Sequence, residues 1–133
     1  MGMPAEESKI SQPHSAVIRT VPRMADSNAS GDIFGGWILS QMDIAGGVVA
    51  AERAKGRVVT VAIDAMRFHR PVYVGDLVSV FADVAKVGRT SMDIRIETYV
   101  HRHQSAEEEL LVTEGSFVFG AIDKNGRPRP VDA

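Results

Sequence analysis

Between Trp37 and Ala51 the chain is apolar at almost every position, interrupted only by Ser40, Gln41 and Asp43. A run of that length is too long for a strand and predicts a helix from about Gly36 to Lys55, stopped by Gly56. A helix that is apolar nearly all round belongs inside a fold, so this one is expected at the centre. After Gly56 the hydrophobic period changes to two. Residues 57–68, 77–87, 90–103 and 109–122 predict four long strands. Arg70-Pro71, Gly75-Asp76, Gly88-Arg89 and the polar residues 104–108 punctuate them. In the third, Met92, Ile94, Ile96 and Val100 fall on one face and Asp93, Arg95, Glu97 and Tyr99 on the other, the pattern of an antiparallel sheet covered on one side.

A short strand over residues 16–21, ended by Pro22, precedes the helix. Residues 1–15 form a polar arm and residues 124–133 a flexible tail, leaving 16–123 as one domain. The fold class is α+β: a strand, one central helix wrapped by the sheet, then four strands in a meander. Helix and sheet cover each other incompletely in so small a unit, which predicts self-association through strand edges or loops.

Composition narrows the chemistry. The formal charge of −2 supplies no bulk attraction to nucleic acid or an anionic membrane. There is no cysteine, which excludes disulfides, thiolate metal sites and a thiol nucleophile. No apolar run approaches a membrane span, and the first residues lack the apolar core of a secretory signal, so the expected compartment is the cytoplasm. His101 and His103 would share one side of a strand, but with no cysteine and with His14 and His69 elsewhere a metal site is not expected. Met42, Met66 and Met92 read as core fillers.

Asp43 is the residue that needs a reason, because burying a carboxylate without a partner is costly. Its neighbours one helical turn away are Leu39, Ser40, Gly46 and Gly47, three of them small. One reading is a carboxylate beside a glycine-lined groove, below a helix start whose free amides can hold a developing negative charge. The other is a structural acid satisfied by nearby hydroxyls, with Gly46-Gly47 serving helix–sheet packing. The residues alone leave both open.

The block Asn28-x-x-Gly31-Asp-Ile-Phe-Gly-Gly36-Trp, followed by Ser40-Gln-Met-Asp43, resembles the signature of the YciA-like acyl-CoA thioesterases of the hot dog fold. The resemblance continues in order through Gly56-Arg-Val-Val-Thr60-Val, Phe68-x-Arg-Pro-Val72-x-Val-Gly-Asp76 and Lys86-x-Gly88-x-Thr-Ser91, over roughly residues 18–130. It implies a long helix wrapped by a curved antiparallel sheet of about five strands. It also implies a dimer with active sites shared between subunits, commonly a trimer of dimers, and hydrolysis of acyl-CoA to free acid and CoA without a metal or redox cofactor. By position, Asp43 matches the catalytic acid, as base or nucleophile, and Asn28 the asparagine of the glycine-rich loop. The amides near Gly35 and Gly36 match the oxyanion contacts, and Thr60 is a candidate partner of Asp43 or of the attacking water.

Thioester hydrolysis needs an activated water or a carboxylate nucleophile, plus donors for the tetrahedral oxyanion, and these residue types supply both. For the CoA phosphates the candidates are Arg57, Arg67, Arg70, Lys86, Arg89 and the hydroxyls of Thr90 and Ser91. The strand edge over residues 58–63 is a candidate for pairing with the pantetheine amides. A non-catalytic acyl-CoA-binding or regulatory hot dog protein is the alternative, and Asp43 together with Asn28 favours the enzyme. A hydratase is a weaker third reading, since its Asp/His loop pattern is absent. No Gly-x-Ser-x-Gly element supports serine hydrolase chemistry.

Overall fold

The computed structural model describes residues 15–102 and 109–132. Its elements are β1 (Ile18–Thr20), a single 3-10 turn (Met24–Asp26), α1 (Gly35–Ala54), β2 (Val58–Phe68), β3 (Leu77–Val87), β4 (Ser91–His101) and β5 (Leu110–Ala121). Each predicted element is present. The arm expected over residues 1–15 falls, except for Ser15, outside the described residues, as does His103.

The strand order is β1-β3-β4-β5-β2, antiparallel throughout and open at both edges. The expected meander therefore holds only for β3-β4-β5. β2 pairs with β5 rather than with its successor β3, so residues 69–76 carry the chain from one edge of the sheet to the strand beside the other edge. Local alternation specifies strands and faces, but not which neighbour a strand selects. β2 also departs from plain alternation. Register shifts at Thr60/Ala62 and Asp64/Arg67 mark two bulges, and Ala65 sits in the left-handed region with φ 51°.

The helix lies across one face of the sheet. Ile38, Met42, Ala45, Gly46, Ala50 and Ala54 recur three or four residues apart and form its buried stripe. They meet Val80, Ile94, Ile96, Phe117 and Phe119 in one core. Gly46 is required there, since a Cβ would lie 2.7 Å from Ile96 Cδ1 and 2.8 Å from Phe119 Cε1. The close approach anticipated at Gly46-Gly47 is thus made by the sheet, and the glycines serve packing.

The helix is not enclosed on all sides, in contrast to the expectation from its composition. Ile44 is 53% exposed and Val48 44%. At the end of the edge strand β2, Phe68 (54%) is exposed beside Gly35 at the start of the same helix. A single chain leaves this apolar side uncovered.

The C-terminal tail is docked, not loose. The Arg129 amide donates to the Ala121 carbonyl, the Val131 amide donates to Arg89, and Val131 is buried in the core. The Arg129 guanidinium donates to the last helical carbonyl, that of Ala54, at 2.7 Å. Gly56 leaves room for it, because a Cβ there would sit 2.5 Å from that guanidinium. The helix-terminating left-handed residue is Lys55, φ 56°, one position before the expected glycine.

Candidate active site

Two groups of residues lie at different heights along α1. The first is built at the helix start. Phe34 occupies the N-cap and supplies no side-chain cap, and among the described residues no acceptor meets the Gly35 and Gly36 amides. Such first-turn donors are unsatisfied by the helix itself and carry its positive dipole end. They open beside a cavity of about 330 Å³. Ile33, Ile38, Phe68, Pro71 and Val72 form its apolar walls, and Asn28, Asp32, His69 and Arg70 its polar rim. Gly35 lies beside the Phe68 ring, where a Cβ would make an ordinary contact at 3.6 Å.

Asn28 is held by its own loop. Its Oδ1 accepts from the Ser30 amide at 2.8 Å and the Asp32 amide at 3.1 Å, while its backbone amide donates to the Asp32 carbonyl. That is the turn-forming use of an asparagine, and it leaves the Nδ2 group, a donor, as the part available to a ligand. Gly31, φ 91°, allows the loop to close. The far wall is fixed from below: the Arg102 guanidinium donates to the Pro71 carbonyl at 2.7 Å and pairs with Asp76, whose carboxylate also caps the Tyr73 amide.

The second group is Asp43 with Thr60. The Thr60 hydroxyl donates to Asp43 Oδ1 at 2.5 Å. Thr60 faces the helix because its cross-strand partner is Phe119, the residue beneath Gly46 and Gly47. Asp43 is half-buried, on the flank of α1 turned towards β2. The carboxylate therefore has one oxygen committed to a hydroxyl and the other without a partner among the described residues. It is neither loose in solvent nor sealed in the core.

The two groups do not meet within one chain. Eight residues separate Gly35 from Asp43, about 12 Å of helix at 1.5 Å per residue. The candidate phosphate ligands also divide. Arg70 lines the cavity, its NH1 donating to the Leu111 carbonyl, and Arg67 pairs across from Glu114 on the same end of β2. Arg57, Lys86, Arg89, Thr90 and Ser91 sit at the opposite end, where the β3–β4 hairpin meets the start of β2 and the tail. An eleven-residue strand spans about 36 Å, so one nucleotide cannot touch both sets in a single chain. Sequence reasoning passed over Phe68 and His69 as pocket residues. Phe68 read as the end of a strand and the start of a block resembling the family, without a role in a pocket, and His69 as an isolated histidine. Among the described residues no group of three or more potential metal ligands occurs, and no helix is long and apolar enough to cross a membrane.

Comparison with known proteins decides the family. The Thioesterase superfamily model matches residues 30–105. The chain belongs to this superfamily. Acyl-CoA thioester hydrolase YciA of Salmonella typhimurium is 49% identical over 117 residues, 86% of this chain and 88% of that protein. A crystal structure of a hexameric broad specificity acyl-coenzyme A thioesterase matches with a TM-score of 0.83 at 45% identity, covering 91% of this chain and 83% of that one. The hexameric thioesterase from Yersinia pestis matches with a TM-score of 0.82 at 46% identity, covering 89% and 95%. The hot dog architecture and the resemblance to YciA-like thioesterases, both expected from the glycine-rich block, hold. The matched span contains Gly35, Gly36, Asp43 and Thr60, and Asn28 lies two residues before it.

Proposed function

We propose that this protein hydrolyses acyl-CoA thioesters in an active site completed by two copies of the chain. The observation that carries the shared site is the separation within one chain. The free helix-start amides and Asn28 lie beside the cavity, whereas Asp43 with Thr60 lies two turns further along α1. β2 is an edge strand with one unpaired side and exposed apolar residues, and the adjoining flank of α1 is uncovered. Two-fold pairing through that flank covers it and sets the helices antiparallel, bringing the helix start of one copy towards Asp43 of the other. The relatives described as hexameric are consistent with three such dimers.

In this reading the thioester carbonyl points its oxygen at the Gly35 and Gly36 amides, with the Asn28 amide group as an additional donor. Asp43, steadied by Thr60, takes a proton from water as it attacks the carbonyl carbon, or attacks directly to form an anhydride that water then opens. In either route the negative charge passes to the carbonyl oxygen, where the amides stabilise it. The C–S bond then breaks and the CoA thiolate leaves, taking up a proton. The products are the free acid and CoA. The hairpin-end cations Arg57, Lys86 and Arg89, with Thr90 and Ser91, are suited to the nucleotide phosphates, and Arg70 to the cavity end. The cysteine-free chain fits a reducing cytoplasm.

Complementation tests the reading. Asn28→Ala and Asp43→Asn are each expected to be weak in a thiol-release assay with acyl-CoA. In a randomly mixed dimer population half the molecules carry both variants, each with one intact site, so activity should return to about a quarter of the wild-type level. No recovery on mixing would defeat the shared site. Tight CoA binding without hydrolysis by the wild-type chain would instead favour the binding-protein alternative.

A further inference from the structure

Arg129 joins segments that lie far apart in the chain. After β5 the turn around Gly126, φ 81°, reverses the backbone, and the bridge between Ile122 and Pro128 brings the tail back beside the strand it has just left. There the Arg129 amide donates to the Ala121 carbonyl at 3.0 Å. Its guanidinium gives one nitrogen to each of three further carbonyls: Nε to Ile122 at 3.3 Å, NH1 to Pro130 at 3.0 Å and NH2 to Ala54, at the end of α1, at 2.7 Å. A planar fork can serve several acceptors at fixed angles, as a single ammonium cannot. The helix end, the end of β5 and the returning tail are thereby tied at one side chain.

The segment tied in this way holds the main chain of the phosphate candidates. The Ile122 amide donates to the Arg57 carbonyl at 3.0 Å, the Ala121 amide to the Thr90 carbonyl at 2.9 Å and the Val131 amide to the Arg89 carbonyl at 2.9 Å. The side chains of Lys86 and Arg89 are exposed and have no partner among the described residues. Ordering such side chains around a ligand costs conformational entropy, and the cost falls when their backbone is already fixed.

We propose that Arg129 is a positioning residue for acyl-CoA: by fixing residues 121–131 against the end of α1, it pre-organises Arg57, Arg89 and Thr90 for the nucleotide phosphates. The inference rests on the thioesterase reading above and on its placing the nucleotide at the hairpin end. Each guanidinium nitrogen of Arg129 already serves a carbonyl, so its contribution passes through the backbone it holds. Gly56 is its counterpart, since a Cβ there would sit 2.5 Å from the nitrogen that reaches Ala54.

The experiment measures kcat and KM for butyryl-CoA and for S-butyryl-N-acetylcysteamine, which carries the same thioester and no phosphate. Arg129→Met and Arg129→Lys should each raise KM for butyryl-CoA about fivefold, the size of a lost hydrogen bond. Their kcat should stay within about twofold of wild type, as when binding common to ground and transition states is removed. Their kcat/KM for the short thioester should not change. Gly56→Ala keeps the arginine but displaces its guanidinium, so it should raise the same KM to a smaller degree, and it carries the test if the Arg129 variants do not fold. An unchanged KM, or equal losses on both substrates, would overturn the assignment, the second by reducing Arg129 to a general structural tie. Wild-type KM in Arg129→Lys beside a raised KM in Arg129→Met would overturn it in favour of direct contact between the charge and a phosphate. Equal wild-type KM for the two substrates would remove the nucleotide from the hairpin end, and with it this role. Hydrolysis of neither thioester by the wild type would instead overturn the thioesterase reading itself.

Discussion

Met42 and Asp43 are consecutive residues of one helix, and they face two different regions. Met42 is fully buried, in the same core as Ile96 and Phe119 of β4 and β5, in a packing that one chain completes. Asp43 turns towards β2, where Thr60 is its polar partner, and the next residue, Ile44, and Val48 one turn on are left exposed on the helix. The closed side of the helix has no room for a ligand, and even a Cβ at Gly46 collides with it. The open side combines an acid, an apolar surface and an unpaired strand edge. Stability and chemistry are thus separated by about 100° of helix rotation, and the same element serves both.

Substitutions on the two sides should separate accordingly. Met42→Ala, which empties a closed site, is expected to cost about 2–5 kcal/mol in denaturant unfolding. A loss under ~1 kcal/mol would show the closed side to be more plastic than its packing indicates. Asp43→Asn should reduce turnover by at least ~100-fold, as loss of a base or nucleophile does, while the midpoint of unfolding changes little. Full activity in that variant would remove Asp43 from the chemistry. Gly46→Ala forces a methyl against Ile96 and Phe119 and should cost about 1–3 kcal/mol, measured on the same unfolding curves, with turnover retained in the folded fraction. Thr60→Val should have the smallest effect, a loss of about tenfold or less in kcat, the size of one hydrogen bond's contribution. A larger loss than that of Asp43→Asn would make the hydroxyl, and not the acid, the principal group.

Much of this was legible beforehand because it is written in short-range patterns. The helix and all five strands follow from hydrophobic period, and their ends fall within a few residues of those expected. The family was legible in the glycine-rich block, whose spacing encodes a loop and a helix start. Asn28 was correctly placed in a loop, but the reading of its side chain had to wait, since only the folded loop shows Oδ1 occupied by two amides. The basic residues were legible only as candidates at strand ends and the hairpin, and the structure divides them between two ends of a long strand.

What the chain determined unaided were its elements, its acidic interruption in an apolar helix and its family, all properties of residues near one another along the backbone. The tertiary structure alone decided that β2 pairs with β5, that the tail seals the helix end, that Gly46 serves the core and that His69 reaches the cavity. Those facts depend on which distant segments come into contact, and contact across a sheet or against a helix face is set by the packing of the whole chain, which no local period encodes.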